Sequence, residues 1–157
     1  MKSLTLFRHA KTEAESASGR DFDRTLTEGG QDDARRMGEE IRRLGLTYDR
    51  VLTSPATRAV QTIHAAGLQS QVPDDRIYDA SASGLLEAVQ SVDDHIDRVL
   101  MVGHNPGFER LASRLIGMAV EMPTGSLVEM ELPADHWRDV GDGSGRLVRF
   151  LKPKELG

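Results

Sequence analysis

Apolar positions along the chain fall into short unbroken runs and into runs spaced three and four apart. The two kinds take turns, which predicts strands alternating with helices. Leu4-Thr5-Leu6-Phe7 reads as a buried first strand that stops at the charge of Arg8-His9. Ser16 to Arg24 is small and polar and reads as a loop. Thr27 then offers a helix N-cap, Ala34, Met37, Ile41 and Leu44 mark one face, and Gly45 ends the helix. Tyr48 to Thr53 predicts a second strand, with Ser54-Pro55 as cap and first helical position of a helix that buries Ala56, Ala59, Val60 and Ile63. A brief strand is expected at Arg76-Ile77-Tyr78. It precedes a helix with Leu85, Leu86, Val89 and Val92 inward, closed by Asp93 and Asp94. Arg98 to Val102 is the third strong strand, and Gly103-His104-Asn105-Pro106 repeats the sequence of strand, cap and proline before a helix on Phe108, Leu111, Ala112, Leu115 and Ile116. Ser126 to Leu132 alternates and Arg146 to Leu151 forms a last strand, with Gly141, Gly143 and Gly145 in the turn between them.

This order predicts an α/β fold, a three-layer α/β/α arrangement with a largely parallel central sheet and an antiparallel edge near the C-terminus. At 157 residues, 38% of them apolar, the chain is sized for one core, and residues 1–157 read as one domain. A net charge of -5 gives no general electrostatic reason to bind nucleic acid or an anionic membrane, so any anion site must be built locally. The N-terminal apolar run is too short for a signal peptide or a membrane span, and a cytoplasmic protein is expected. The chain has no cysteine, which removes thiolate nucleophiles and thiolate metal ligands. Its five histidines include no close metal-binding pair; neither metal nor other cofactor is expected.

In open α/β sheets, ligands gather beyond the carboxyl ends of the strands. Arg8-His9, Arg58 and His104 all fall just after predicted strands and so converge although distant in sequence. Guanidiniums fork onto phosphate oxygens, and a neutral histidine can displace at phosphorus. His64, His95 and His136 are assigned solvent or helix-end roles.

The segments LTLFRHA, TSPATRAVQT and VGHNPG resemble, in this order, the signature segments of the histidine phosphatase superfamily, whose fold is phosphoglycerate mutase-like. The segments DFDRTLTEGG, VGHNPGFERLA, MPTGS and GSGRLVRFLKP are similar to its SixA-type phosphohistidine phosphatase branch, along nearly the whole chain. The resemblance implies His9 as nucleophile, Arg8 and Arg58 as phosphate clamps, His104 as a second histidine on the phosphate, and Arg24 as a further phosphate or substrate contact. It implies a metal-independent phosphatase acting through a phosphorylated His9 on a phosphohistidine protein such as a phosphotransfer domain. Many relatives carry a glutamate acid before the helix that here begins near Gly84. This chain offers Asp79 there, and Glu87 further on. A departing imidazole needs less help from an acid than an alkoxide does.

Four other readings stand beside this one. Asp21 to Thr25 spells D-x-D-x-T, a magnesium-dependent aspartyl-phosphatase motif, but no apolar strand precedes it. A small-molecule phosphomonoesterase of the same fold, or a non-catalytic phosphoprotein-binding module, would keep the basic pocket. A mutase-like enzyme would need insertions for which the chain is short. Oligomeric state is not encoded in any feature identified, and a monomer is compatible with all of them.

Overall fold

The computed structural model describes residues 1–156. Six strands form one sheet: β1 (Lys2–Arg8), β2 (Arg50–Thr53), β3 (Gln71–Pro73), β4 (Arg98–Gly103), β5 (Leu127–Leu132) and β6 (Arg146–Leu151). Their order is β3-β2-β4-β1-β5-β6. The first four are mutually parallel, and β5 and β6 run antiparallel at the C-terminal edge, as the alternation of the tail predicts. Four helices connect them: α1 (Glu28–Arg43), α2 (Thr57–Ala66), α3 (Ala82–Gln90) and α4 (Gly107–Ile116). None is long and apolar enough to cross a membrane.

Period-two alternation in the central strands feeds two separate cores. Leu4, Leu6, Val99 and Met101 pack with Leu85 and Val89 of α3 and Phe108, Leu111 and Leu115 of α4. Phe7, Leu100 and Val102 pack with Met37 and Ile41 of α1 and Ala59 and Ile63 of α2. This is the physical content of the three layers: central strands buried on both faces read as continuous apolar runs. The chain moves outward from β1 to β2 and β3, then returns to insert β4 between β2 and β1. Right-handed crossovers in opposite directions place their helices on opposite faces. The reversal opens a crevice beyond the carboxyl ends of β1 and β4, which pair in register from Ser3 with Arg98 to Arg8 with Gly103.

Local signals set the α1 ends as expected: the Thr27 hydroxyl accepts from Gly30 N at 2.9 Å, and Gly45 follows in the left-handed region at φ 70°. Helix α1 approaches α2 so closely at Gly38 that a Cβ there would lie 2.0 Å from the Ala66 carbonyl oxygen. The contact explains a glycine inside a helix, where it otherwise costs about 1 kcal/mol.

Two expectations fail. Arg76-Ile77-Tyr78 is not a strand; Asp75–Ile77 is a short 3-10 turn, and the edge strand β3 lies earlier, at Gln71–Pro73. The Asp74 carboxylate accepts from Arg76 N at 3.0 Å and folds the backbone into the turn, and Ile77 is apolar because it points into the α3–α4 core. Neither Ser54-Pro55 nor Asn105-Pro106 supplies the expected pairing of cap and first helical residue. The helices start later, at Thr57 and Gly107, with Ala56 and Pro106 at the N-cap. The side chains before each proline still accept from the helix start, Ser54 Oγ from Ala56 N at 3.1 Å and Asn105 Oδ1 from Glu109 N at 3.3 Å, and each also reaches a partner at the sheet edge.

Candidate functional site

His9 leaves the end of β1 by one further ladder bond, its N–H donating to Gly103 O at 3.0 Å, and Gly125 N returns to His9 O at 2.9 Å. Its ring is 7% exposed and Nδ1 lies 2.8 Å from the Ala10 carbonyl oxygen. A carbonyl only accepts, so Nδ1 carries the proton and Nε2 keeps its lone pair. Burial, reinforced by the charges of Arg58, Arg8 and Arg24, lowers the His9 pKa to about 4, against the weaker opposing pull of the Ala10 carbonyl. At neutral pH the ring is uncharged and its tautomer is fixed, with the Nε2 lone pair unused by the Ala10 contact.

His104 leaves β4 beside it, with ring centroids 5.2 Å apart. Its Nε2 lies 2.7 Å from the Ser54 hydroxyl, while Nδ1 is buried and has no partner among the described residues. Ser54 is fully buried and already accepts from Ala56 N at 3.1 Å. If it also accepted from His104, its own O–H would be orphaned; donating to Nε2 satisfies it, since unpaired buried donors cost on the order of 1–3 kcal/mol. That assignment puts the remaining His104 proton on Nδ1, a buried donor left without a partner among the described residues. Burial, then the charge of Arg58 and the neighbouring His9, lowers the His104 pKa to about 3.

The first turn of α2 carries Arg58, 7% exposed, whose guanidinium donates to Asp21 O at 2.8 Å and to Asp21 Oδ2 at 3.0 Å. These bonds use two of five guanidinium N–H groups and fix the plane of the fork. Thr62 bridges helix and strand end, donating to Arg58 O at 2.8 Å and accepting from Ala10 N at 3.1 Å. Arg8 is held from the opposite side: Nη1 donates to Met122 O at 2.8 Å, and its buried Nε has no partner among the described residues. Asn105 donates to the same Met122 oxygen at 2.9 Å. Gly107 lets α4 close on the segment before α3, since a Cβ there would sit 2.5 Å from Ala80 O.

Arg24 stands one layer back, donating to Asp21 Oδ1 at 3.0 Å, Glu13 O at 2.9 Å and Thr12 Oγ1 at 2.6 Å. Asp21 thus receives Arg24, Arg58 and, at 2.8 Å, the Tyr78 hydroxyl. Partial burial works against ionisation, but the bonds from Tyr78, Arg24 and Arg58 outweigh it and hold the Asp21 pKa at about 2. Asp21 begins a 3-10 turn and follows no strand, unlike the nucleophile of a D-x-D-x-T phosphatase. Asp79, in the left-handed region at φ 52°, borders a cavity of about 60 Å³ with Asp21, Arg58, Tyr78, Ala80, His104, Asn105 and Pro106. The structure therefore brings Arg8, His9, Arg58 and His104 to one edge and sets Arg24 behind Asp21. It leaves His64 beside Gln71 and His136 beside Asp94, both elsewhere. Sequence reasoning missed Tyr78, placed in a strand, and the contact of Ser54 with His104. It named Asp21 only in a rejected motif.

Two buried neutral histidines leave a trace in stability. In the unfolded chain each takes a proton near pH 6.5, but in the folded chain only near pH 4 and pH 3. Between those values the unfolded state binds more protons, so stability is full above about pH 6.5 and is lost as pH falls. At pH 5 each histidine is expected to cost on the order of 2 kcal/mol relative to pH 8. Urea unfolding at the two pH values checks this, and His104→Asn should remove roughly half of the histidine-linked loss.

Comparison with known proteins bears on the family and the fold. The model of the histidine phosphatase superfamily (branch 1) matches residues 4–80. An uncharacterized protein of Mycobacterium tuberculosis is 31% identical over 159 residues, covering 94% of this chain and 99% of its own. Among solved structures, a candidate phosphohistidine phosphatase SixA of Agrobacterium tumefaciens is 27% identical with a TM-score of 0.81, covering 97% of this chain and 99% of that one. The protein histidine phosphatase SixA complexed with tungstate has a TM-score of 0.84 at 22% identity, covering 99% of both chains. The chain belongs to the histidine phosphatase superfamily, and its fold matches that of the solved SixA structures.

Proposed function

We propose that the chain is a phosphatase that removes the phosphoryl group from phosphohistidine on a protein, through a covalent phosphoryl-His9 intermediate, with residues 1–157 acting as one domain. The observation that carries this reading is the fixed tautomer of His9: Nδ1–H is held by the Ala10 carbonyl, and Nε2 is free in a ring that burial keeps neutral. Nε2 attacks phosphorus in line, the bond to the leaving group breaks with its electron pair, and the leaving group departs with a proton. The Ala10 carbonyl stabilises the positive charge that the His9 ring acquires. Arg8, Arg58 and the Nδ1–H of His104 hold the phosphoryl oxygens, with Arg24 contributing charge from behind Asp21. Preorganised donors of this kind supply the largest share of catalysis in many phosphoryl transfers. Water then attacks phosphorus and releases phosphate from His9 Nε2. The guanidiniums supply the charge stabilisation, and turnover is expected to persist in EDTA. The tungstate complex of the SixA structure supports an oxyanion site in this fold.

The test offers the purified protein a phosphohistidine phosphotransfer protein and a panel of phosphate esters, in EDTA, and quenches the reaction early. An acid-labile, alkali-stable phosphate on His9 is expected. Turnover without any labelled histidine would sink the covalent mechanism. Activity lost in EDTA would overturn metal independence, and phosphate binding without turnover of any substrate would leave a binding module.

Asp79 borders the cavity and is proposed as the acid for substrates that need one. Asp79→Asn should lower kcat/KM for a phosphoserine peptide by about tenfold or more, and for phosphohistidine by about threefold or less. Equal losses on the two substrates would remove Asp79 from proton transfer.

A further inference from the structure

Four rings form a continuous series from the surface to the nucleophile. Phe22 packs edge-on against Tyr78 with centroids 5.2 Å apart, Tyr78 edge-on against His104 at 5.6 Å, and His104 against His9 at 5.2 Å. Tyr78 is further pinned by its hydroxyl on Asp21 and by the Arg58 guanidinium, 6.0 Å from the ring centre. The ring is half-buried and lines the cavity next to Asp79, Ala80 and Pro106. An aromatic face carries negative quadrupole density, which attracts cations and flat rings and does nothing for a phosphate oxygen. The Arg8 and Arg58 guanidiniums meet the anion; Tyr78 and the ionised Asp21 beside it are suited to a partner of opposite character.

We infer that Tyr78, backed by Phe22, is the leaving-group determinant of this site and selects substrates whose phosphoryl group is attached to a planar, cationic nitrogen ring. The inference rests on the phosphatase reading and deepens it. Phosphohistidine protonated on its second ring nitrogen is such a group. In the transfer its P–N bond breaks, a P–N bond to His9 Nε2 forms, and the electron pair returns to the substrate ring, which leaves as neutral imidazole keeping its proton. An aromatic face and a carboxylate at the cavity favour the protonated ring, which is the form that departs readily.

The experiment compares wild type, Tyr78→Leu, Tyr78→Phe and Phe22→Leu on a phosphohistidine peptide and on acetyl phosphate. Acetyl phosphate is comparably labile, but its leaving group is an anion. Tyr78→Leu is expected to lower kcat/KM about tenfold for phosphohistidine and at most about twofold for acetyl phosphate. Tyr78→Phe keeps the ring and should retain the wild-type ratio between the substrates. Phe22→Leu should shift that ratio in the same direction as Tyr78→Leu, and it carries the test if Tyr78→Leu does not fold. Equal losses on both substrates would mean that the ring only braces His104 and Arg58, which overturns the inference and leaves the phosphatase reading intact. A wild type inactive on both would overturn the phosphatase reading, and the inference with it.

Discussion

Replacing His9 by alanine is expected to lower kcat for phosphohistidine hydrolysis by on the order of a thousandfold or more, because no other side chain at the sheet edge can take its place as nucleophile. His104 is the nearest candidate, but its Nε2 is occupied by Ser54, and the proton assigned to Nδ1 makes that nitrogen a donor. Oxyanion binding should survive in the same variant, since Arg8, Arg58 and His104 are held by Met122, Asp21 and Ser54 and not by His9. Titration calorimetry with inorganic phosphate or tungstate should find affinity within about tenfold of wild type, while turnover disappears. Unchanged turnover in His9→Ala would refute the nucleophile assignment. A parallel collapse of binding and turnover would make His9 a structural element. The variant should also be more resistant to acid than wild type, because one of the two histidines buried without charge is gone.

What was legible in the sequence follows from which physics decides each residue's place. Arg8, His9 and His104 are immediate continuations of strands, and a strand buried on both faces announces itself as an unbroken apolar run. Their convergence is therefore legible in the chain itself. Arg58 needed only the further step that a helix starts soon after β2. The sheet order was not legible in the same way: that β4 inserts between β2 and β1 depends on crossover direction, which leaves no local mark in the chain. Tyr78 is hidden from sequence because Ile77-Tyr78 looks like half of a strand. One residue is apolar for the α3–α4 core and the other for the cavity, and the backbone between them is set by the Asp74 side chain. Ser54 and Asn105 were read as caps because their residue types and following prolines fit that role. Both do accept from a backbone N–H at the helix start, but the Ser54 hydroxyl also meets His104, a partner 50 positions away that no local pattern encodes, and the Asn105 amide also donates across to Met122 O. Asp21 sat in a loop of small polar residues. Its importance lies in three donors that reach it from Arg24, Arg58 and Tyr78, and only the folded chain assembles them.

Arg58→Ala should cost about 10²- to 10³-fold in kcat/KM, the range expected when a preorganised donor to a developing oxyanion is removed. Arg58→Lys should recover little of that loss. An ammonium has no planar fork, so it cannot hold Asp21 with two parallel bonds and still offer further N–H groups to phosphate in a fixed plane. The partner of this fork predicts a graded result. Asp21→Asn removes the charge that orients Nη2 but leaves the Asp21 backbone carbonyl, which binds Nη1 at 2.8 Å, in place. Arg58 then remains aimed, and a loss of only about three- to tenfold is expected. The ordering Arg58→Ala, Arg58→Lys, Asp21→Asn, from most to least damaging, separates a guanidinium that touches the phosphoryl group from one that merely pairs with a carboxylate. If Arg58 served only its ion pair with Asp21, the two single substitutions Arg58→Lys and Asp21→Asn would be equally mild. Steady-state kcat/KM on phosphohistidine, with folding monitored by thermal unfolding, decides between them. The buried position of Arg58 makes the distinction sharp, since few waters are available there to replace a lost N–H on a dianionic phosphoryl group.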